Sequence, residues 1–275
     1  MSAIPDSTGA AQNTLRPSSC CSTFYEQDWV RHLADDIFHP GGDELTNRTV
    51  AAMNLPAGAA IADLGCGTGT TAMMLARYYD FRVSAVDIST ANIERAIQRM
   101  GAGHATVRFC QADAHQLPFN DSELDGLIAE CTFSLFSEQE TVLAEIRRVL
   151  KPGGKLAITD MATSGVLPED IAGVLAPWTC LADALDEETY LEMFAAAGFK
   201  IQTMADESAS LISLVWMLKR KLLLLGAGAL TNGAALDFGL ADFDLAGIKF
   251  WLDRFETEVK NGSIRYLRFN LQYAG

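Results

Sequence analysis

The chain has 275 residues, 49% of them hydrophobic and 20% charged, with 21 Lys+Arg against 35 Asp+Glu for a net charge of −14. That apolar fraction excludes wholesale disorder, and the length suits one large domain or two small ones around a real core. The acidic balance argues against nucleic acid and anionic lipid as partners, because both are gripped by clustered Lys and Arg.

In chain order, residues 1–23 read as a flexible tail, rich in Ser, Thr, Ala and Pro and without the charged and apolar regions of a secretion leader. Residues 24–275 read as a single domain that opens on a helical segment, Phe24 to Val30. From Ala59 to Asp160, short β-rich runs alternate with helical patterns, the signature of βαβ units and a parallel sheet. Strands are expected at 59–64, 82–87, 106–110, 126–130 and 155–159, with helices between them. Ile93, Ala96, Ile97 and Met100 fall at helical spacing and predict one apolar stripe. Val142, Leu143, Ile146, Val149 and Leu150 predict another, stopped by Lys151-Pro152-Gly153-Gly154.

A helix at 187–197 and a strand at 199–204 should follow, then a helical insertion at about 207–260 between the last two strands. Its apolar stretch, Leu211 to Leu230, is interrupted by Lys219-Arg220-Lys221, which argues against a membrane span. An exposed Leu222–Leu225 patch there would favour a homodimer through the C-terminal helices. Leu267, Phe269, Leu271 and Tyr273 alternate with polar residues, so the last strand should be half-buried and antiparallel. Six cysteines spread over this length are expected as thiols in a reducing cytoplasm.

The chemistry concentrates at Asp63-Leu64-Gly65-Cys66-Gly67-Thr68-Gly69, between a strand and a helix. Glycines there let the backbone turn sharply and approach a ligand. The spacing is G-x-G-x-G with an acid two residues before the first glycine, which suits an ammonium group better than a pyrophosphate. Asp87 ends the second strand, where a carboxylate can accept both hydroxyls of a ribose, and Asp113 follows the third. Taken in order, the D-L-G-C-G-T-G loop, Asp87, Asp113-Ala114 and the K-P-G-G turn resemble the motif series of class I S-adenosylmethionine-dependent methyltransferases over about residues 55–205.

That resemblance implies an α/β, Rossmann-like sheet of seven strands, mostly parallel with the last antiparallel, and helices on both faces. It also implies S-adenosyl-L-methionine as cofactor. Asp63 and the loop through Gly65, Cys66, Gly67 and Gly69 would take the methionine part, Asp87 the ribose, Ile88 the adenine face, and Asp113-Ala114 the adenine edge.

The acceptor should sit beyond the strand ends, near Glu130-Cys131. Trivalent arsenic needs two or three converging thiolates, and Cys131, Cys180 and Cys21 (or Cys20) are candidates. The second half of the chain resembles arsenite methyltransferases in its strand-end cysteine, R-V-L-K-P-G-G run and C-x-x-(G/A)-A-L-like segment, which implies Cys131 and Cys180 as the arsenic-binding pair. It departs from them in lacking a cysteine in the N-terminal Tyr-Glu-Gln and in carrying Thr70-Thr71 after the loop.

Glu130 could orient a protonated substrate, His39 could be a base, and Tyr25, Trp29 and Trp178 could roof the site. No metal site is expected apart from arsenic as substrate. Three functions stay open on these residues. The first is methyl transfer to a small soft nucleophile, arsenite or a thiol; the second is C-, O- or N-methylation of a small metabolite. The third is a non-catalytic S-adenosylmethionine-binding scaffold.

Overall fold

The computed structural model describes residues 39–101, 107–165, 167–174, 181, 183–232 and 245–275. Its strands are β1 (Ala60–Leu64), β2 (Arg82–Asp87), β3 (Val107–Gln111), β4 (Leu124–Glu130), β5 (Leu150–Thr163), β6 (Phe199–Asp206) and β7 (Ile264–Tyr273). They form one sheet in the order β3-β2-β1-β4-β5-β7-β6. β7 runs antiparallel to β5 and β6, and the other neighbours are parallel. The helices are α1 (Gly42–Met53), α2 (Thr70–Tyr78), α3 (Thr90–Met100), α4 (Gln139–Val149), α5 (Glu169–Val174), α6 (Glu187–Ala196), α7 (Ser208–Asn232) and α8 (Leu245–Asn261).

The layering follows from the sequence pattern. β1 and β4 are near-continuous apolar runs because both faces of a parallel sheet are covered, and Ile61, Leu64, Leu127 and Ile128 are all buried. One face carries Phe133, Tyr190, Phe194 and Phe269, whose rings stack, tilt or meet edge-on. Burying each contributes roughly 1.5–3 kcal/mol. The other face gathers Ile61, Leu75, Ala85 and Ile93 under α2 and α3. Ser89 starts α3 by accepting the Asn92 N–H, and Asp186 starts α6 by accepting the Thr189 N–H. Strand order reverses between β1 and β4, so a crevice opens at their C-terminal ends.

Several expectations need correction. Ile97 is 50% exposed, because α3 lies over the edge strand β3, where the sheet offers no further surface. Lys151 to Gly154 does stop α4, but it is already part of β5: Leu124 pairs with Leu150, the register shifts, and Gly126 pairs with Lys155. β7 is buried on both faces rather than one. Asn270 is 2% exposed because α1 crosses that face, and its Nδ2 donates to the Thr49 carbonyl at 2.9 Å.

The 207–260 region holds two helices packed on each other, α7 and α8, of which Leu211 and Val215 face inward. Leu222 is buried while Leu223 and Leu224 are exposed. Among the described residues, no helix is long and apolar enough to cross a membrane.

Candidate active site

The glycine loop joins β1 to α2. Its amides at Gly65 and Cys66 both donate to the Val86 carbonyl, at 2.8 and 3.0 Å, which pins the loop to β2. Gly65 has φ 72°, and a Cβ there would lie 2.3 Å from Thr132 Oγ1; Gly69 has φ 78°, and a Cβ there would lie 2.7 Å from the Phe109 ring. Left-handed backbone and close approach together exclude larger residues.

Asp87 is fixed by this loop. Its Oδ2 accepts the Gly67 N–H and its Oδ1 the Ser89 N–H, both at 2.8 Å. The carboxylate is therefore aimed before any ligand arrives.

Asp63, on β1, is 2% exposed, and its Oδ2 is buried without a hydrogen-bond partner. Burial first, then the charges of Glu130 and Asp87, push its carboxyl well above the usual carboxylate range. Glu130 closes β4. Thr46 Oγ1 donates to it at 2.9 Å and Thr71 Oγ1 at 2.8 Å, from α1 and α2 respectively. His39 Nε2 lies 3.7 Å from Glu130 Oε2, while His39 Nδ1 is buried without a partner.

These groups line one cleft of about 260 Å³. Four carboxylates reach it (Asp63, Asp87, Asp113 and Glu130), and among the described residues no Lys or Arg does. Burying three of them, Asp63, Asp87 and Glu130, together with no Lys or Arg among the described lining residues is costly, so the arrangement is complementary to a positively charged ligand. Toward the β3 side, Ile88 is 62% exposed, an unusual setting for a large aliphatic side chain and a ready platform for a flat ring. Ala114 is buried beside it, and the Asp113 carboxylate is 54% exposed.

Cys66 lines the cleft, but burial, then the charges of Asp63 and Asp87, push its thiol far up, so it is a poor nucleophile. Cys131 also lines the cleft, half-buried. It sits at φ 52°, a strained setting for a side chain, and its N–H donates to the Thr159 carbonyl at 2.6 Å. Cys66, Cys110 and Cys131 are thiols, not disulfides. Cys21, Tyr25, Trp29, Trp178 and Cys180 lie outside the described residues, so the proposed Cys131–Cys180 pairing has no geometry here.

Among the described residues there is no cluster of three or more His, Cys, Asp or Glu able to hold a metal ion. The cleft also brings in Thr71, Asn92, His115 and Ser137, with Thr46 behind Glu130, none of them foreseen from the sequence. A hydroxyl on a distant helix carries no local pattern; only Thr70-Thr71, directly after the loop, offered a cue.

The span from β1 into β5, residues 61–154, matches a family model described as a methyltransferase domain. That span contains the glycine loop, Asp87, Asp113 and Glu130-Cys131. The chain is 33% identical to O-methyltransferase cnsE of Penicillium expansum over 174 residues, 60% of each chain. It is 30% identical to the arsenite methyltransferase of Halobacterium salinarum over 209 residues, 70% of this chain and 53% of that one.

The chain thus spans less than two thirds of the length of these curated relatives. The same fold is found in a Haemonchus contortus phosphoethanolamine N-methyltransferase bound to S-adenosylhomocysteine. The TM-score is 0.72 at 18% identity, over 90% of this chain and 60% of that one.

Proposed function

We propose that the chain is an S-adenosylmethionine-dependent methyltransferase acting on a small molecule, with residues 24–275 as one functional unit. One observation carries the reading: a glycine-loop cleft with four carboxylates, no Lys or Arg among its described lining residues, and a buried Asp63 oxygen without a partner. S-adenosylmethionine bears two cations, an ammonium and a sulfonium, and the donor set fits it. Asp63 and the Gly65–Gly69 loop with Cys66 would hold the methionine part and Asp87 the ribose hydroxyls, while Ile88, Asp113 and Ala114 would hold the adenine. When bound, the cofactor supplies a methyl group on an electron-poor sulfur.

The chain's own residues do the rest. Closing the acceptor and cofactor into one small cleft aligns them and excludes water, which is most of what a displacement at carbon requires. Glu130 is held in place by two threonine hydroxyls, so it can orient an acceptor N–H or O–H. His39, with Nδ1 buried and Nε2 3.7 Å from Glu130, is placed to take the proton released by such an acceptor. The carboxylates also favour a neutral or cationic acceptor over a phosphorylated one.

A second reading, methylation of a soft acceptor such as arsenite or a thiol, is supported by the strained Cys131 at the cleft and by the arsenite methyltransferase relative. In it Cys131 and Cys180, with Cys21, hold the arsenic, and Tyr25, Trp29 and Trp178 cover it. Labelled S-adenosylmethionine with reductant, offered hydroquinone, benzylamine or arsenite, separates the two. Methylarsenic formation abolished in both Cys131→Ser and Cys180→Ser, with cofactor binding retained, supports the soft acceptor. Methylation of an organic probe that survives Cys131→Ser supports the first reading.

The exposed Trp216, Leu223, Leu224 and Phe250 support a homodimer through α7 and α8, tested by light scattering of the purified chain.

A further inference from the structure

Across the outer rim of the cleft, the loop after β3 meets the segment after β4 through one side chain, His115. Its Nδ1 lies 2.6 Å from Asp113 Oδ1, and its Nε2 lies 2.7 Å from the Ser137 carbonyl oxygen. Both partners are acceptors only. A neutral imidazole has one N–H and one lone pair, so it would press that lone pair against one of two oxygens at hydrogen-bond distance. An imidazolium donates to both.

We propose that His115, held as an imidazolium, is a positioning residue that ties Asp113 to Ser137 and closes the adenine end of the cleft over the bound cofactor. The inference rests on the cofactor reading above. Asp113 Oδ1 is fully engaged, since it also accepts the His115 backbone N–H at 2.9 Å. Oδ2 is the oxygen left for a ligand N–H. The ring joins the two rims that line the adenine end, Asp113 to His115 on one side and Leu135 to Ser137 on the other.

The charged groups that bear on the ring are Asp113, from the loop after β3, and Glu138, from the residue before α4; both are acids. The hydrogen bond to Asp113 raises the ring's pKa from the ordinary histidine value, and that to Ser137 adds to it, against partial burial, which lowers it. Asp113 in turn is held below the carboxylate range, first by the His115 backbone N–H. The sign follows. The ring is charged on the acid side and loses its proton as pH rises through its raised pKa, whereupon one of its two bonds becomes a repulsion. Cofactor affinity then falls with rising pH.

The test is calorimetric titration of the full chain with S-adenosylhomocysteine from about pH 6.5 to about pH 9, spanning the histidine transition. The wild-type dissociation constant should rise about tenfold over this range, the loss of one charge-assisted bond. His115→Gln should bind weakly and without pH dependence. His115→Arg keeps the charge and the donors, and should bind tightly and flatly to the top of the range. Parallel pH profiles in wild type and His115→Gln overturn the clasp and leave the cofactor reading standing. No binding to the wild type at any pH overturns the cofactor reading itself.

Discussion

Two acidic regions of this molecule are built in opposite ways. Along α8, each of three buried or half-buried acids meets a cation: Glu256 pairs with Lys260 and with Lys219 of α7, Asp253 with Lys249 and with Lys219, and Glu258 with Arg254. In the cleft, Asp63, Asp87 and Glu130 are met by amides and hydroxyls, Glu130 also by the His39 ring at 3.7 Å, and Asp63 Oδ2 by no hydrogen-bond donor. The first arrangement is electrostatically complete and serves packing. The second has no Lys or Arg among its described lining residues, which makes it complementary to a cationic ligand. Net charge alone could not separate the two; partner counting does.

The largest effect should come from breaking the loop that frames the cleft. Gly65→Ala puts a side chain at φ 72° and against Thr132. It should cost about 2–4 kcal/mol in thermal unfolding and abolish binding of S-adenosylhomocysteine. Next, Asp63→Asn removes a buried charge without a cation. Calorimetry should show cofactor affinity falling about tenfold or more, the worth of one charge-assisted contact, while Tm is unchanged or higher. A fall in both would show that Asp63 is structural.

The two regions should also part in their pH dependence. Asp63, raised by burial and then by its acidic neighbours, and Asp160, raised to about 6 by burial, bind protons more tightly folded than unfolded. Their contribution is present in acid and is lost as pH rises through about 6 for Asp160. Asp253 and Glu256, held at about 2 first by Lys219, contribute above the ordinary carboxylate range and lose it as pH falls toward 2. Tm measured against pH should peak near about 5, and Asp63→Asn should flatten only the alkaline side. The smallest effect belongs to Glu256→Gln, which should lower stability by no more than about 1 kcal/mol and leave methyl transfer unchanged.

Much of the sheet was legible beforehand, because parallel strands buried on both faces announce themselves as short apolar runs, and β1, β2 and β4 do so. Asp87 was legible for a related reason: a strand-end acid after a glycine loop is a local pattern. The partners of Glu130 were not, since Thr46 and Thr71 reach it across 84 and 59 residues and their types say nothing alone. His115 was equally silent, because its meaning lies in two acceptors on different loops. The buried Asn270 escaped for the same reason: only the passage of α1 over β7 explains it.

Binding of the cofactor in the acid-lined cleft is tested most directly at Asp87. Its two oxygens accept the Gly67 and Ser89 N–H groups, so Asp87→Asn keeps the size of the side chain but removes its charge and one of those two loop bonds. Titration with S-adenosylhomocysteine should show saturable one-to-one binding to the wild type. In Asp87→Asn it should be about a hundredfold weaker, with a folded chain whose Tm falls only by the worth of one loop hydrogen bond, about 1–3 kcal/mol, if two ribose hydrogen bonds to a charge are lost. Equal affinity in the two proteins would contradict the account.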